Sequence, residues 1–128
     1  MPYNHDSGDN KKLIYLASPY THKLAKIKEE RFQKVCEFAA SLMREGHHVF
    51  SPIAHTHPIA SYGLPTTWDY WDSYDRNIMS RCDELAVLCL PGWKESVGVS
   101  AEIKFAKSID IKISYHQCEP VAATMEAV

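Results

Sequence analysis

A parallel α/β sheet covered by helices on both faces is the fold class this sequence predicts, and three observations predict it. Short apolar runs alternate with longer segments of helical periodicity, in the order strand-helix-strand-helix-strand-helix-strand. The runs LIYLASP and ELAVLCLP carry consecutive rather than alternating apolar residues, as strands covered on both faces do. The chain has 128 residues, 45% hydrophobic and 23% charged, which is enough for one core and too little for two.

The elements follow in order. Residues 1–12 read as a tail. LIYLASP, Leu13 to Pro19, is a short buried strand ended by Ser-Pro. KLAKIKEERFQKVCEFAASLMREG is a helix with a stripe of Leu24, Ile27, Val35, Phe38 and Leu42, and Gly46 is its carboxyl-terminal cap. HHVFSP, His47 to Pro52, is the second strand. Ile53 to Pro65 carries Pro58, Gly63 and Pro65 and reads as a long loop. A helix from about Thr67 to Cys82 opens on Thr residues suited to capping. ELAVLCLP, Glu84 to Pro91, is the most apolar strand and therefore central. PGWKESVG is a loop closed by Gly98. Val99, Ile103 and Ala106 then mark a last helix, and IKISYHQ a last strand. Residues 118–128 have little pattern. The domain spans 13–117, a flavodoxin-like or Rossmann-like three-layer sandwich with a mostly parallel sheet of four to five strands. In such sheets ligands lie outside the carboxyl ends of the strands, where the strand order reverses.

Composition narrows the function classes. A net charge of -2 gives no electrostatic case for nucleic acid or membrane surfaces. No apolar run reaches membrane-spanning length, and the polar start MPYNHDSGDNKK is unlike a signal peptide, so a cytoplasmic location is expected. Cys36, Cys82, Cys89 and Cys118 form no C-x-x-C pair. The first three sit in apolar segments as reduced thiols.

Three charged residues stand on apolar faces. Glu102 lies beside the stripe of Val99, Ile103 and Ala106, one turn into a helix that starts directly after the central strand. Asp75 lies between Trp71 and Met79 in the stripe of its own helix, and Arg31 between Ile27 and Val35. Each has an ordinary explanation: a carboxylate favoured by a helix end, a carboxylate bonded to nearby backbone, and an arginine snorkelling to the edge. The other explanation covers all three at once. They sit at the same end of one sheet and would line one polar pocket.

Three segments carry a family likeness: LIYLASPY at the first strand and its turn, DRNIMSRCD from Asp75 to Asp83, and SVGVSAE from Ser96 to Glu102. On these the chain resembles the nucleoside 2-deoxyribosyltransferase superfamily, which includes the 2'-deoxynucleoside 5'-phosphate N-hydrolases, and it is most similar to a small bacterial and phage branch of it. The likeness covers roughly Leu13 to Ser114. It implies that Glu102 attacks the anomeric carbon of a nucleoside sugar and displaces the base as a glycosyl ester, kept ionised by its helix amino terminus. Asp75 would orient the nucleophile or help protonate the departing base. Water then releases the sugar in a hydrolase, and a second base releases it in a transferase. The resemblance also assigns Ser18, Pro19, Tyr20 and Gly98 to the ligand-binding turns. Ser at position 96 matches the phosphate-accepting hydrolases, as Ser18 matches a phosphate-contacting serine, so a nucleoside 5'-monophosphate is favoured over a free nucleoside. No metal and no cofactor are implied. The sequence departs from the pattern at Ala17 and Ser100, where Gly is common, and at Tyr20, where Arg is expected. Arg31 or Lys23 then has to supply the cation.

Trp68, at the start of its helix, is the better stacking platform for a base, and Trp93 could close over it from the next loop. His55 and His57 are expected as a polar lid. H-x-H can also bind metal where both rings share one face of a strand, which leaves a His-dependent metal hydrolase as a third reading. The second is a module that binds a nucleotide without cleaving it. A small domain offers a shallow crevice, and WDYWDSY holds more aromatic surface than one helix face can bury. Tyr70 and Tyr74 are therefore expected to face solvent or a partner, in a homodimer or homotetramer.

Overall fold

The computed structural model describes residues 11–65 and 67–117. Cys118 and the tail 118–128 lie outside this range, as do residues 1–10 of the amino-terminal tail. Four strands, β1 (Leu13–Ala17), β2 (His48–Phe50), β3 (Glu84–Leu88) and β4 (Lys112–His116), pair in parallel in the order β2-β1-β3-β4. The helices are α1 (Ala25–Arg44), α2 (Pro52–Ala60), α3 (Trp68–Met79) and α4 (Val97–Ser108). This is a three-layer α/β sandwich of the flavodoxin-like kind.

The layers follow from strand periodicity. Ile14, Leu16, Ala86, Leu88 and Leu90 face α1 and pack on its Val35 and Ala39. Their neighbours Tyr15, Ala17, Leu85, Val87 and Cys89 face the other way, onto Met79 of α3 and Val99 and Ala106 of α4. Every residue of β3 is buried: Leu85 to Leu88 as a continuous apolar run, and Glu84 paired with Lys12 Nζ at 3.2 Å. From β1 the chain first adds β2 on one side and then crosses to β3 on the other. The reversal therefore falls between β1 and β3, and a crevice opens at their carboxyl ends.

Gly46 stops α1 as expected. At φ +101° its N–H reaches Met43 O at 2.9 Å and the His47 N–H reaches Leu42 O at 3.2 Å. Leu24 does not join the stripe; it precedes the first turn and is 56% exposed. Cys36 is half-buried, Cys82 and Cys89 are buried, and all three are free thiols. No helix among the described residues is long and apolar enough to cross a membrane.

Two local expectations are corrected. The segment read as a loop from Ile53 begins as a helix, α2. Ser51 Oγ accepts from the Ala54 N–H at 3.1 Å, and Pro52 occupies the first turn, where it has no intrahelical donor to lose. Pro58, the seventh of the nine residues of α2, cannot donate to the Ala54 carbonyl, and the helix ends two residues later at Ala60. Gly98 does not close a turn. The Ser96 side chain accepts from the Val99 N–H at 3.1 Å, so α4 starts at Val97 and Gly98 lies in its first turn.

The Ser51 cap gives a direct test of the first correction. Ser51→Ala should lower stability by about 1 kcal/mol in urea denaturation and speed hydrogen exchange at the Ala54 amide. An ordinary loop at this position would leave both unchanged.

Candidate active site

A cavity of about 620 Å³ opens at the carboxyl ends of β1 and β3. Its floor is polar where the strand pattern alone would make it apolar. Tyr15 of β1 is fully buried, and its hydroxyl donates to Glu102 Oε2 at 2.6 Å. Asp75, from α3, enters the same group. It and Glu102 are 5% and 6% exposed, and both line the cavity.

Removal from water governs the protonation of all three groups. Burial raises Glu102 to about 8; the Tyr15 hydrogen bond pulls it down, and the nearby Asp75 pushes it further up. Burial likewise raises Asp75 to about 7, against the pull of Tyr15 and with a further push from Asp72. The Tyr15 phenol is raised well above its ordinary value by burial and then by the two carboxylates. Around neutral pH both carboxyls therefore hold protons part of the time, and Asp75 is the readier of the two to ionise. This corrects the expectation that the helix end keeps Glu102 ionised. Glu102 sits in the second turn of α4, beyond the reach of a terminus dipole, and burial outweighs it.

Two buried polar atoms have no hydrogen-bond partner among the described residues: Asp75 Oδ1 and Ser18 Oγ. Both belong to residues lining this cavity. Leaving a buried polar atom unpaired costs about 1–3 kcal/mol, so a ligand that bonded either atom would recover that cost.

The upper wall is built from loops. Arg31 is the sole cationic side chain among the described lining residues. It donates from Nη1 to Thr21 O at 2.9 Å and from Nη2 to Pro91 O at 3.0 Å, tying the loop after β1 to the loop after β3. Partial burial lowers its pKa without bringing it near neutrality. Gly92 makes the close approach possible: its φ is +92°, and a Cβ there would stand 2.8 Å from Arg31 Nη2. Ser96 lines the wall with one lone pair spent on the α4 cap and its hydrogen without an acceptor among the described residues. Val97 and Gly98 lie beside it, in a first turn whose N–H groups lack intrahelical acceptors. Trp68 packs against Gly98, 3.5 Å from a Cβ built there, and faces the cavity.

The structure thus brings together Glu102, Asp75, Ser18, Tyr20, Arg31, Trp68, Ser96 and Gly98. It does not bring in three others. Pro19 is fully buried in the turn after β1. His55 is exposed, with Nε2 3.0 Å from the Tyr74 hydroxyl. His57 lies behind the wall, bonded to Tyr20 and Glu29. The two histidines are two positions apart on a helix, not a strand, so they diverge and form no lid. Among the described residues no group of three or more His, Cys, Asp or Glu is arranged to hold a metal ion. Trp93 packs on Tyr115 at 5.6 Å and does not line the cavity, nor does Lys23. Sequence reading missed Tyr15, together with Pro52, Ile53 and Thr56 of α2 and the rim acids Asp69 and Glu95. The signal for Tyr15 was available only as a polar tip inside an apolar strand.

The chain belongs to the family described as Domain of unknown function (DUF1937), whose model matches residues 12–118. No curated protein matches it.

The raised carboxyls predict a pH dependence of folding. Ordinary carboxyls titrate near 4, whereas Asp75 and Glu102 hold their protons to about 7 and about 8 in the folded chain. Between those limits the folded state binds more protons than the unfolded state. Their contribution is therefore fully present below about pH 4 and is lost as pH rises through about 8. Urea midpoints for Glu102→Gln should fall less over this range than those of the unmodified protein. Parallel slopes would mean that Glu102 titrates normally.

Proposed function

We propose that this DUF1937-family protein cleaves the N-glycosidic bond of a nucleoside 5'-monophosphate, as a hydrolase or a transferase, in the cytoplasm. The observation that carries the reading is a pair of buried carboxyls, Asp75 and Glu102, that line one cavity and both have proton affinities raised to near neutral pH. Displacing a base from a sugar needs an anion to stabilise and capture an oxocarbenium-like centre, and an acid to protonate the leaving nitrogen. One ionised and one protonated carboxyl supply both.

In this mechanism the reactive form carries the charge on Glu102 and the proton on Asp75, the reverse of the resting preference. The Glu102 carboxylate attacks the anomeric carbon while the bond to the base breaks, and the Asp75 proton moves to the departing base. Tyr15 keeps Oε2 of Glu102 aimed through its hydrogen bond. The sugar ester on Glu102 is then opened by water or by a second base, with Asp75 taking up the proton of the attacking group. Ser18, Ser96, Arg31 and the first turn of α4 form the end of the cavity suited to a phosphate. Trp68 offers a face for the base. A homodimer or homotetramer would cover the mouth through α3, where Tyr70 and Tyr74 are 48% and 40% exposed.

Incubation with a panel of ribo- and deoxyribonucleoside 5'-monophosphates, followed by chromatography for free base, tests the reading. Base should appear, and Glu102→Gln should reduce its release roughly a thousandfold or more. Asp75→Asn should cost at least about a hundredfold. The pH profile of kcat/KM should be bell-shaped, with its maximum between the limbs at about 7 and about 8, and Asp75→Asn should remove one limb. Thermal stabilisation by a nucleotide with no base released would instead identify a binding module.

Assembly has its own test. Light scattering at micromolar concentration should give a dimer or tetramer, and Tyr70→Lys combined with Tyr74→Lys should shift it toward monomer. A fully active monomer would remove the partner from the site.

A further inference from the structure

Behind the cavity wall runs a hydrogen-bonded chain that base displacement does not use. Glu29 Oε1 lies 2.9 Å from His57 Nε2, and His57 Nδ1 lies 2.7 Å from the Tyr20 hydroxyl. Glu29 comes from α1, His57 from α2 and Tyr20 from the turn after β1. Phe32 stacks on the imidazole at 4.2 Å and holds its plane. Of the three linked residues only Tyr20 lines the cavity.

The proton inventory of the chain has a direction. Hydrogen bonds from His57 and Gln33 hold Glu29 below the usual carboxylate range, so near neutral pH it is ionised and can only accept. His57 Nε2 must then carry the hydrogen. In a neutral imidazole this leaves Nδ1 bare, and a bare nitrogen 2.7 Å from a phenol accepts the phenolic hydrogen. With the imidazole neutral, the Tyr20 hydrogen is committed away from the ligand, and the oxygen keeps lone pairs with no hydrogen to offer.

We infer that Tyr20 Oη is a dedicated acceptor for a sugar hydroxyl of the ligand, with Glu29 and His57 as positioning residues that turn its hydrogen inward. The inference rests on the nucleotide reading above and sharpens it. A phosphate oxygen, which can only accept, gains nothing at Tyr20. The phosphate is therefore directed to the serine hydroxyls and Arg31, and the hydroxyl-bearing edge of the sugar to Tyr20. Tyrosine stands where the resemblance leads one to expect arginine, and this exchange replaces a donor to phosphate with an acceptor for hydroxyl.

Calorimetry on the full chain carrying Glu102→Gln, which silences turnover, tests this with nucleoside 5'-monophosphates and their 2'-deoxy, 3'-deoxy and 2',3'-dideoxy forms. Loss of one sugar hydroxyl should weaken binding about tenfold, because Tyr20 is then left without its donor. Adding Tyr20→Phe should bring that ratio to about one. Adding Glu29→Gln, at a half-exposed position outside the cavity, should also shrink it. The glutamine amide can donate to Nε2 and so move the imidazole hydrogen to Nδ1, which makes Tyr20 a donor. Nitrogen NMR of His57 should find the hydrogen on Nε2 in the parent and on Nδ1 after Glu29→Gln. Equal weakening of every ligand by Tyr20→Phe, or a parent His57 carrying a hydrogen on Nδ1, alone or together with one on Nε2, overturns this inference alone. A panel in which nothing binds overturns it together with the nucleotide reading.

Discussion

The hydrogen bond from Tyr15 to Glu102, 2.6 Å long and closed to solvent, joins the middle of the sheet to the helix that leaves its central strand. Its surroundings give it weight. A carboxyl buried in an apolar layer is costly, and it lowers that cost by keeping its proton or by accepting a strong donor. Glu102 does both, holding its proton up to about pH 8 and accepting from Tyr15. The three groups have to be considered as one unit, since moving any of them changes the charge the others can hold.

The same arrangement sets stability against function. A core of α3, α4 and β3 would pack more favourably with apolar residues at positions 75 and 102. The chain instead keeps two carboxyls there, and a cavity in which Ser18 Oγ and Asp75 Oδ1 have no partner among the described residues. The surrounding scaffold can carry that cost because it is well packed elsewhere, through Leu16, Val35, Ala86 and Leu88 on the opposite face of the sheet. Arg31 performs the corresponding task at the rim. Its bonds to two loop carbonyls hold the wall open at a fixed width, and Gly92 provides the room.

Much of this was legible in the residues. Glu102 and Asp75 stand out because a carboxylate within an apolar helical stripe contradicts its surroundings, and such contradictions concentrate at sites. The parallel sheet and the interior place of β3 were legible because apolar strands alternating with helices allow few topologies. Helix α2 was not. Pro58, Gly63 and Pro65 obscured a nine-residue helix whose start was nonetheless written in Ser51 and Pro52. That one misreading also hid Pro52, Ile53 and Thr56 from the cavity wall and set His55 and His57 side by side, when the helix turns them to different neighbours.

Periodicity and the placement of small residues determined, from the sequence alone, a parallel α/β sandwich, the end of it at which ligands lie, and two acidic side chains aimed there. These features are local, since each depends on residues within a few turns of one another. Tertiary structure alone decided that Tyr15 meets Glu102 across 87 positions, that Arg31 spans two loops, and that burial rather than a helix end controls the carboxyl protons. The reason is physical. A proton affinity is set by the distance to water and to other charges in space, and no spacing along a chain encodes that distance until the sheet has brought the groups together.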